Sequence, residues 1–273
     1  MPYFTVIEDL CRKDGICASV CPAHAIKGPK GALPFMRPGG ESSCIACGQC
    51  MAFCPHGAAR IDVLPAEDLL PIDRSLLPKV EAVNMLIRTR RSIRHFKKEA
   101  VPRELLERVL AETRHAPSAK NRRPVRWLVV HSPKAMQRVG DLVAAWLEDC
   151  INAPGSRPFI PESKGLLRAW RAGLDPLFRG APHLALAVTP KDWKWAASDA
   201  AIALTYLELA ALPHSIGACW AGYVSTAAQA YAPLAHYLGV GEHEDVQGGQ
   251  MLGFIALRPT ASAPRKALPL NWL

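Results

Sequence analysis

Residues 44–55 read CIACGQCMAFCP, and this run decides how the front of the chain must fold. Cys44, Cys47, Cys50 and Cys54 follow the spacing C-x2-C-x2-C-x3-C, with Pro55 directly behind the last. Two-residue gaps let three thiolates curl round one iron–sulfur cube, while the fourth cysteine, before proline, reaches a different cube. The competing readings are a tetrahedral zinc ion and plain packing of four cysteines as small hydrophobes.

Upstream, residues 11–22 read CRKDGICASVCP and repeat the spacing with one change: Cys11, Asp14, Cys17 and Cys21, followed by Pro22. The pair of runs resembles the bacterial two-cluster ferredoxin family, and the resemblance covers about the first 60 residues. In that family the ligands cross over. The resemblance therefore implies one cluster on Cys11, Cys17 and Cys54 with Asp14 at the fourth corner, and a second on Cys44, Cys47, Cys50 and Cys21. A carboxylate oxygen is a harder and weaker partner for cluster iron than a thiolate, so that iron is expected to be labile. The cluster is then 4Fe-4S with Asp14 as ligand, or 3Fe-4S after exposure to air; the alternative leaves Asp14 a solvated turn residue before Gly15. His24 and His56 fall outside the ligand positions and are expected at the module surface, close enough to tune potential through hydrogen bonds.

Seven of the nine cysteines lie between Cys11 and Cys54, whereas Cys150 and Cys219 stand alone in the rest of the chain. Such a skew marks a separate module over residues 1–64, too small for an ordinary hydrophobic core and dependent on metal ligation. Residues 65–79, with Pro65, Pro71 and Pro78, read as a linker to a second domain over 80–273. In that domain the periodicity predicts helices at Val80–Arg90, Arg103–His115, Lys134–Ile151, Ala196–Leu212 and Ser225–Leu238. Trp127–Val130, His183–Val188 and Met251–Leu257 read as buried strands. The fold class is α+β: a small ferredoxin-type domain followed by an α/β domain.

The N-terminus lacks a secretory signal, and no apolar stretch approaches the roughly 18 to 20 residues that span a bilayer, so a cytoplasmic protein without membrane contact is expected. A reducing cytosol disfavours disulfides and favours clustered cysteines as metal ligands. The formal charge of +9 is spread along the chain except at residues 88–98. No aromatic-interleaved basic face accompanies that run, and nucleic acid is not an expected partner.

Residues 88–96, RTRRSIRHF, place Arg90, Arg91, Ser92 and Arg94 where guanidinium groups and a hydroxyl can surround a phosphate. A solvated basic face is the bland alternative. Three more segments, met in this order along the chain, add weight: APSAKNRRPVRWLVV at 116–130, SIGACWAGY at 215–223 and APRKALPLNWL at 263–273. Together these resemble the FMN-dependent nitroreductase family across roughly residues 80–273. The resemblance implies FMN phosphate and ribityl contacts from Arg90, Arg91, Ser92 and Arg94, and flavin-edge contacts from Pro117, Ser118 and Asn121. It implies further that the strand-end segment Cys219–Gly222, with Ala221 and Gly222, faces the ring, and that Arg265 and Lys266 close on the phosphate. Arg123 stands where many members have Gln. Cys219 and Cys150 read as buried small residues rather than nucleophiles.

No strand-linked G-x-G-x-x-G is present, which argues against a dedicated nicotinamide domain. Trp146, Phe159, Trp170 and Phe178 read as walls of a substrate channel or as core, and Trp193 and Trp195 are equally open. The expected function is an FMN-dependent oxidoreductase fed through two iron–sulfur clusters that reduces a nitro, quinone or related small acceptor. Its donor would be reduced ferredoxin or NAD(P)H, its catalysis flavin-borne without side-chain acid–base groups, and its assembly a homodimer. The alternative is a non-enzymatic electron-transfer or redox-sensing module that serves a protein partner.

Overall fold

The computed structural model describes residues 1–153 and 160–273, which form two compact units. The first unit is Met1–Leu77 with Lys120–Arg122, and the second is Pro78–Ala119 with Arg123–Leu273.

The first unit runs β1 (Phe4–Val6), α1 (Ile16–Ser19), β2 (Ile26–Lys27), β3 (Phe35–Met36), α2 (Gly40–Ser43), α3 (Gln49–Ala52) and β4 (Ala59–Ile61). Its two ladders are antiparallel: β1 pairs β4 with Phe4 opposite Ile61, and β2 pairs β3 with Ile26 opposite Met36. The core is Phe4, Ile26, Met36, Met51, Ala59 and Ile61, joined by the thiols of Cys17 and Cys50. Its halves repeat each other in backbone as well as sequence. Gly15 (φ 77°) opens α1 as Gly48 (φ 73°) opens α3, each in the left-handed region that glycine adopts without a Cβ clash.

The second unit continues with α4 (Val80–Thr89), α5 (Arg103–Glu112), β5 (Arg126–Val130), α6 (Pro133–Asn152), α7 (Ser163–Arg171), β6 (His183–Pro190), α8 (Ala196–Ala211), β7 (Ile216–Trp220), α9 (Gly222–Ala230), α10 (Ala232–Tyr237) and β8 (Glu244–Phe254). Four strands form an antiparallel sheet in the order β5-β6-β8-β7. The apolar run of β6 is buried through Thr189, as its central place requires. Helices cover both faces. Leu106 and Val109 of α5 and Leu207 and Ala211 of α8 pack on Ala185, Ala218 and Leu252, and Val143, Trp146 and Leu147 of α6 share the opposite core with Leu184, Leu186 and Met251. Ser132 caps α6 by accepting from Ala135 N, and Pro133 supplies its first turn.

Three expectations shift. The strand predicted at 251–257 runs instead from Glu244 to Phe254, and its partner β7, Ile216–Trp220, ends where the resemblance implies a strand end. The helix predicted over 225–238 is two helices, broken at Tyr231 (φ −126°, ψ 98°), because Pro233 can sit in a first turn but cannot continue a helix. Trp146 and Phe178 are core residues, Trp170 meets Phe178 edge-on with centroids 6.0 Å apart, and Phe159 lies outside the described residues. Among the described residues no helix is long and apolar enough to cross a membrane.

Candidate functional site

In the first unit the repeated turns surround two small cavities. One is lined by Cys11, Asp14, Cys17 and Cys54, the other by Cys21, Cys44, Cys47 and Cys50. Each half of the repeat thus sends its last cysteine into the cavity of the other half. The donors ring a space instead of meeting at a point: among the described residues no three His, Cys, Asp or Glu side chains are grouped tightly enough for a single ion.

The chemistry of these walls suits an iron–sulfur core. Backbone amides point at sulfur, from Ala25 N to Cys21 Sγ at 3.3 Å and, at the equivalent place in the repeat, from Ala58 N to Cys54 Sγ at 3.2 Å. Burial, and after it the neighbouring thiols, push Cys17 and Cys44 above the usual thiol range and Cys50 up to about 12. Four thiolates in so apolar a space repel one another unless a cationic centre stands between them. Asp14 occupies the place in the first half that Cys47 occupies in the second. Its Oδ1 accepts from Ile16 N at 3.0 Å, so the carboxylate is tied to the turn leading into α1 while lining the cavity. His56, expected at the surface, is exposed and lines the same cavity beside it, whereas His24 is exposed with φ 48°.

In the second unit the arginine run crosses from β7 to the end of β8. Ile93 N donates to Ala218 O at 2.9 Å, Lys97 N to Phe254 O at 2.9 Å and Ala256 N to His95 O at 3.1 Å. This fastening brings Ser92 and Arg94 to Cys219 at the strand end, where Arg179 joins them. Burial raises the Cys219 thiol despite both guanidinium groups, which leaves it neutral and supports its reading as a packing residue. Directly beyond, Gly222 begins α9, and a Cβ on Gly222 would meet nothing within 4 Å. Two cations, a hydroxyl and open space over a glycine are what a flat ring with an anionic tail needs, so these residues fit FMN.

The remaining expected contacts are distributed more widely. Pro117 and Ser118 line a cavity of about 250 Å³ with Arg114, Arg123, Trp127 and Asp199, and Ser118 Oγ accepts from Arg123 N at 2.8 Å. Asn121 belongs to the first unit, where its Nδ2 donates to Ile45 O at 3.2 Å and Ala46 O at 3.0 Å on the loop between Cys44 and Cys47. Arg265 and Lys266 are exposed on the C-terminal tail. That tail is tied by Arg258 to Ser215 at 2.6 Å and by the Ser262 hydroxyl to Arg88 O at 3.5 Å. Arg90 pairs with Glu208 at 2.8 Å. Glu208, Asp199 and Arg179 were not singled out in the sequence: the two acids sit in a helix that reads as apolar, and Arg179 in a loop without periodicity.

Gly217 explains how the arginine run lies so close to the sheet. A Cβ there would sit 2.7 to 2.8 Å from Ile93 Cβ, Cγ1 and Cγ2. Gly217→Ala is expected to lift the run off β7 and to lower stability by about 1–3 kcal/mol, read as a drop in melting temperature with weakened flavin retention.

Comparison with known proteins places both units. The Nitroreductase family matches residues 87–254, and the 4Fe-4S dicluster domain matches residues 10–59. The electron transport protein HydN of Escherichia coli (strain K12) is 40% identical over 58 residues, which cover 20% of this chain and 31% of that protein. The chain thus spans about a third of the length of the curated relatives it matches. Among solved structures, an FMN-bound nitroreductase from Bacteroides fragilis NCTC 9343 superposes with a TM-score of 0.56 at 21% identity, covering 70% of this chain and 96% of that one. An FMN-bound nitroreductase from Desulfitobacterium hafniense DCB-2 gives 0.55 at 24% identity, covering 71% and 100%. At these identities the likeness establishes the fold.

Proposed function

Because the chain belongs to the nitroreductase family and carries a 4Fe-4S dicluster domain ahead of it, we propose that it is an FMN oxidoreductase supplied with electrons through two iron–sulfur clusters. Its acceptor is a nitro compound, a quinone or a related small molecule. The observation that carries the reading is the pair of crossed donor sets, each lining its own cavity.

In this reading Cys21, Cys44, Cys47 and Cys50 hold one cluster, and Cys11, Cys17 and Cys54, with Asp14, hold the other. Arg90, Arg91, Arg94, Arg265 and Lys266 neutralise the flavin phosphate, Ser92 hydrogen-bonds to it, and Pro117, Ser118, Asn121, Ala221 and Gly222 border the ring. When bound, the clusters carry single electrons and the flavin gathers two for delivery to one acceptor. The protein supplies orientation and charge: the amides of Ala25 and Ala58 donate to the sulfurs of Cys21 and Cys54, which would hold the clusters, and the guanidinium groups at Cys219 would offset the anion. A homodimer is part of the proposal, supported by apolar side chains left exposed on α4 (Val80 70%, Met85 59%, Ile87 60%) and on the tail (Leu268 74%, Trp272 90%).

Anaerobic purification with iron, sulfide and flavin counted per chain tests the cofactors; about seven to eight irons and one FMN are expected for two cubes and one flavin site. Asp14→Cys should raise the iron count to eight and alter the EPR spectrum of the reduced protein. Unchanged iron and an unchanged spectrum would show that Asp14 is no ligand. Turnover with reduced ferredoxin that is lost when the clusters are removed supports the wiring; full NAD(P)H turnover without clusters refutes it. The likeness of the front of the chain to an electron transport protein favours a second reading, a redox module serving a protein partner. Absence of turnover with any small acceptor would select it.

A further inference from the structure

Helix α8 carries two carboxylates in a largely apolar sequence, Asp199 and Glu208, and both are buried (4% and 8% exposed). Each is committed to a segment far away in the chain. Glu208 Oε1 accepts from Arg90 Nη1 at 2.8 Å. Asp199 Oδ1 accepts from Ala119 N at 2.9 Å, and its Oδ2 from Trp193 Nε1 at 2.7 Å. A helix that only filled a layer between sheet and solvent would carry Ala or Leu at such positions, because burying a carboxylate is unfavourable unless its partners are fixed.

The identity of those partners is informative. Arg90 opens the run to which the proposed function assigns the flavin phosphate, and Ala119 follows the Pro117–Ser118 turn to which it assigns the ring edge. Asp199 and Glu208 lie about 13 Å apart along the helix axis at 1.5 Å per residue, so each addresses a different segment. A guanidinium has five N–H donors, more than one carboxylate oxygen takes, so Arg90 can be held by Glu208 and still present donors to an anion.

We propose that α8 is the rail of the flavin site: Glu208 is the positioning residue for Arg90 at the phosphate end, and Asp199 is the positioning residue for the Pro117–Ala119 turn at the ring end. The two ends of one ligand are thereby registered against a single rigid helix. The inference rests on the flavin reading and makes a separate claim, that the two carboxylates act on different parts of the ligand.

The protein is stripped of flavin and titrated with FMN and with riboflavin, which lacks the phosphate. The wild type prefers FMN. Glu208→Gln is expected to reduce that preference at least about tenfold, with riboflavin affinity little changed. Glu208→Asp, which keeps the charge on a shorter arm, recovers part of it. Asp199→Asn sets an amide N–H against the Trp193 or Ala119 donor; it weakens both ligands by about tenfold, keeps their ratio and shifts the absorption spectrum of the bound flavin. Melting curves accompany each variant. An unaltered FMN-to-riboflavin ratio in Glu208→Gln, or one common loss that tracks the melting temperature in all variants, would overturn the rail. A wild type that binds both flavins equally would overturn the phosphate role of the arginine run and the Glu208 end of the rail with it, and one that binds neither would overturn the flavin reading itself.

Discussion

Anaerobic removal of iron from the purified protein is expected to unfold residues 1–64 while the sheet of the second unit stays folded. The first unit has a core of eight buried residues, two of which are the thiols of Cys17 and Cys50. A single core in a domain this small rarely supplies more than about 3–5 kcal/mol, whereas structural metal binding in small metallo-domains is worth on the order of 10 kcal/mol or more. Metal binding is therefore the larger effect by a wide margin. The second unit keeps a sheet whose β6 is buried from His183 to Thr189 and covered on both faces. Hydrogen exchange read by mass spectrometry checks the outcome: after chelation the amides of β1 and β4 exchange freely, and those of β6 and β8 retain protection. Retained protection in β1 and β4 would mean that the core holds without its metal.

That prediction draws on the part of the molecule most legible in its sequence. Ligand cysteines act within a few residues of each other, so spacing alone reports them, and the repeat exposes Asp14 as the departure from Cys47. The arginine run was legible for a different reason. Its place was carried by resemblance, and the physical cause, the missing Cβ of Gly217 under Ile93, emerges only when β7 is seen beneath it. Long-range pairs were the least legible. Glu208 meets Arg90 across 118 positions and Asp199 meets Ala119 across 80, and neither acid is marked by periodicity. The Ile216–Trp220 segment hid its strand in the same way, since it becomes β7 through register with β8, Ile216 opposite Phe254, and not through its own short pattern. The helix predicted across Tyr231 failed on a local signal that was present, Pro233.

Acidification is expected to destabilise the second unit through one histidine. His183 is fully buried in β6, its ring stacked on that of His131 with centroids 4.3 Å apart. Its Nε2 lies 2.8 Å from Val101 N, which is a donor, so Nε2 must accept and Nδ1 carries the proton toward His131 O at 3.1 Å. His131 Nε2 in turn donates to Val101 O at 3.0 Å, and the two rings thus hold both sides of the buried Val101 residue. A second proton on His183 would sit at Nε2, facing an N–H with no acceptor. Burial foremost, and the neighbouring His131, lower its pKa from 6.5 to about 4, although the bond to the His131 carbonyl works the other way.

The direction of the effect is set by which state takes up protons. Above pH 6.5 His183 is neutral whether folded or unfolded and the contribution is intact; between about 6.5 and 4 only the unfolded chain protonates, and stability falls as pH falls. A shift of this size amounts to about 3 kcal/mol across that window, a large share of a domain's stability. Urea titrations of the wild type at pH 7 and pH 4.5 should show the loss. In His183→Gln, which can still accept from Val101 N but cannot titrate, stability at pH 7 is lower and the decline between the two pH values is smaller by about 2 kcal/mol. An equal decline in both proteins would place the acid sensitivity elsewhere and leave the stacked pair a packing feature only.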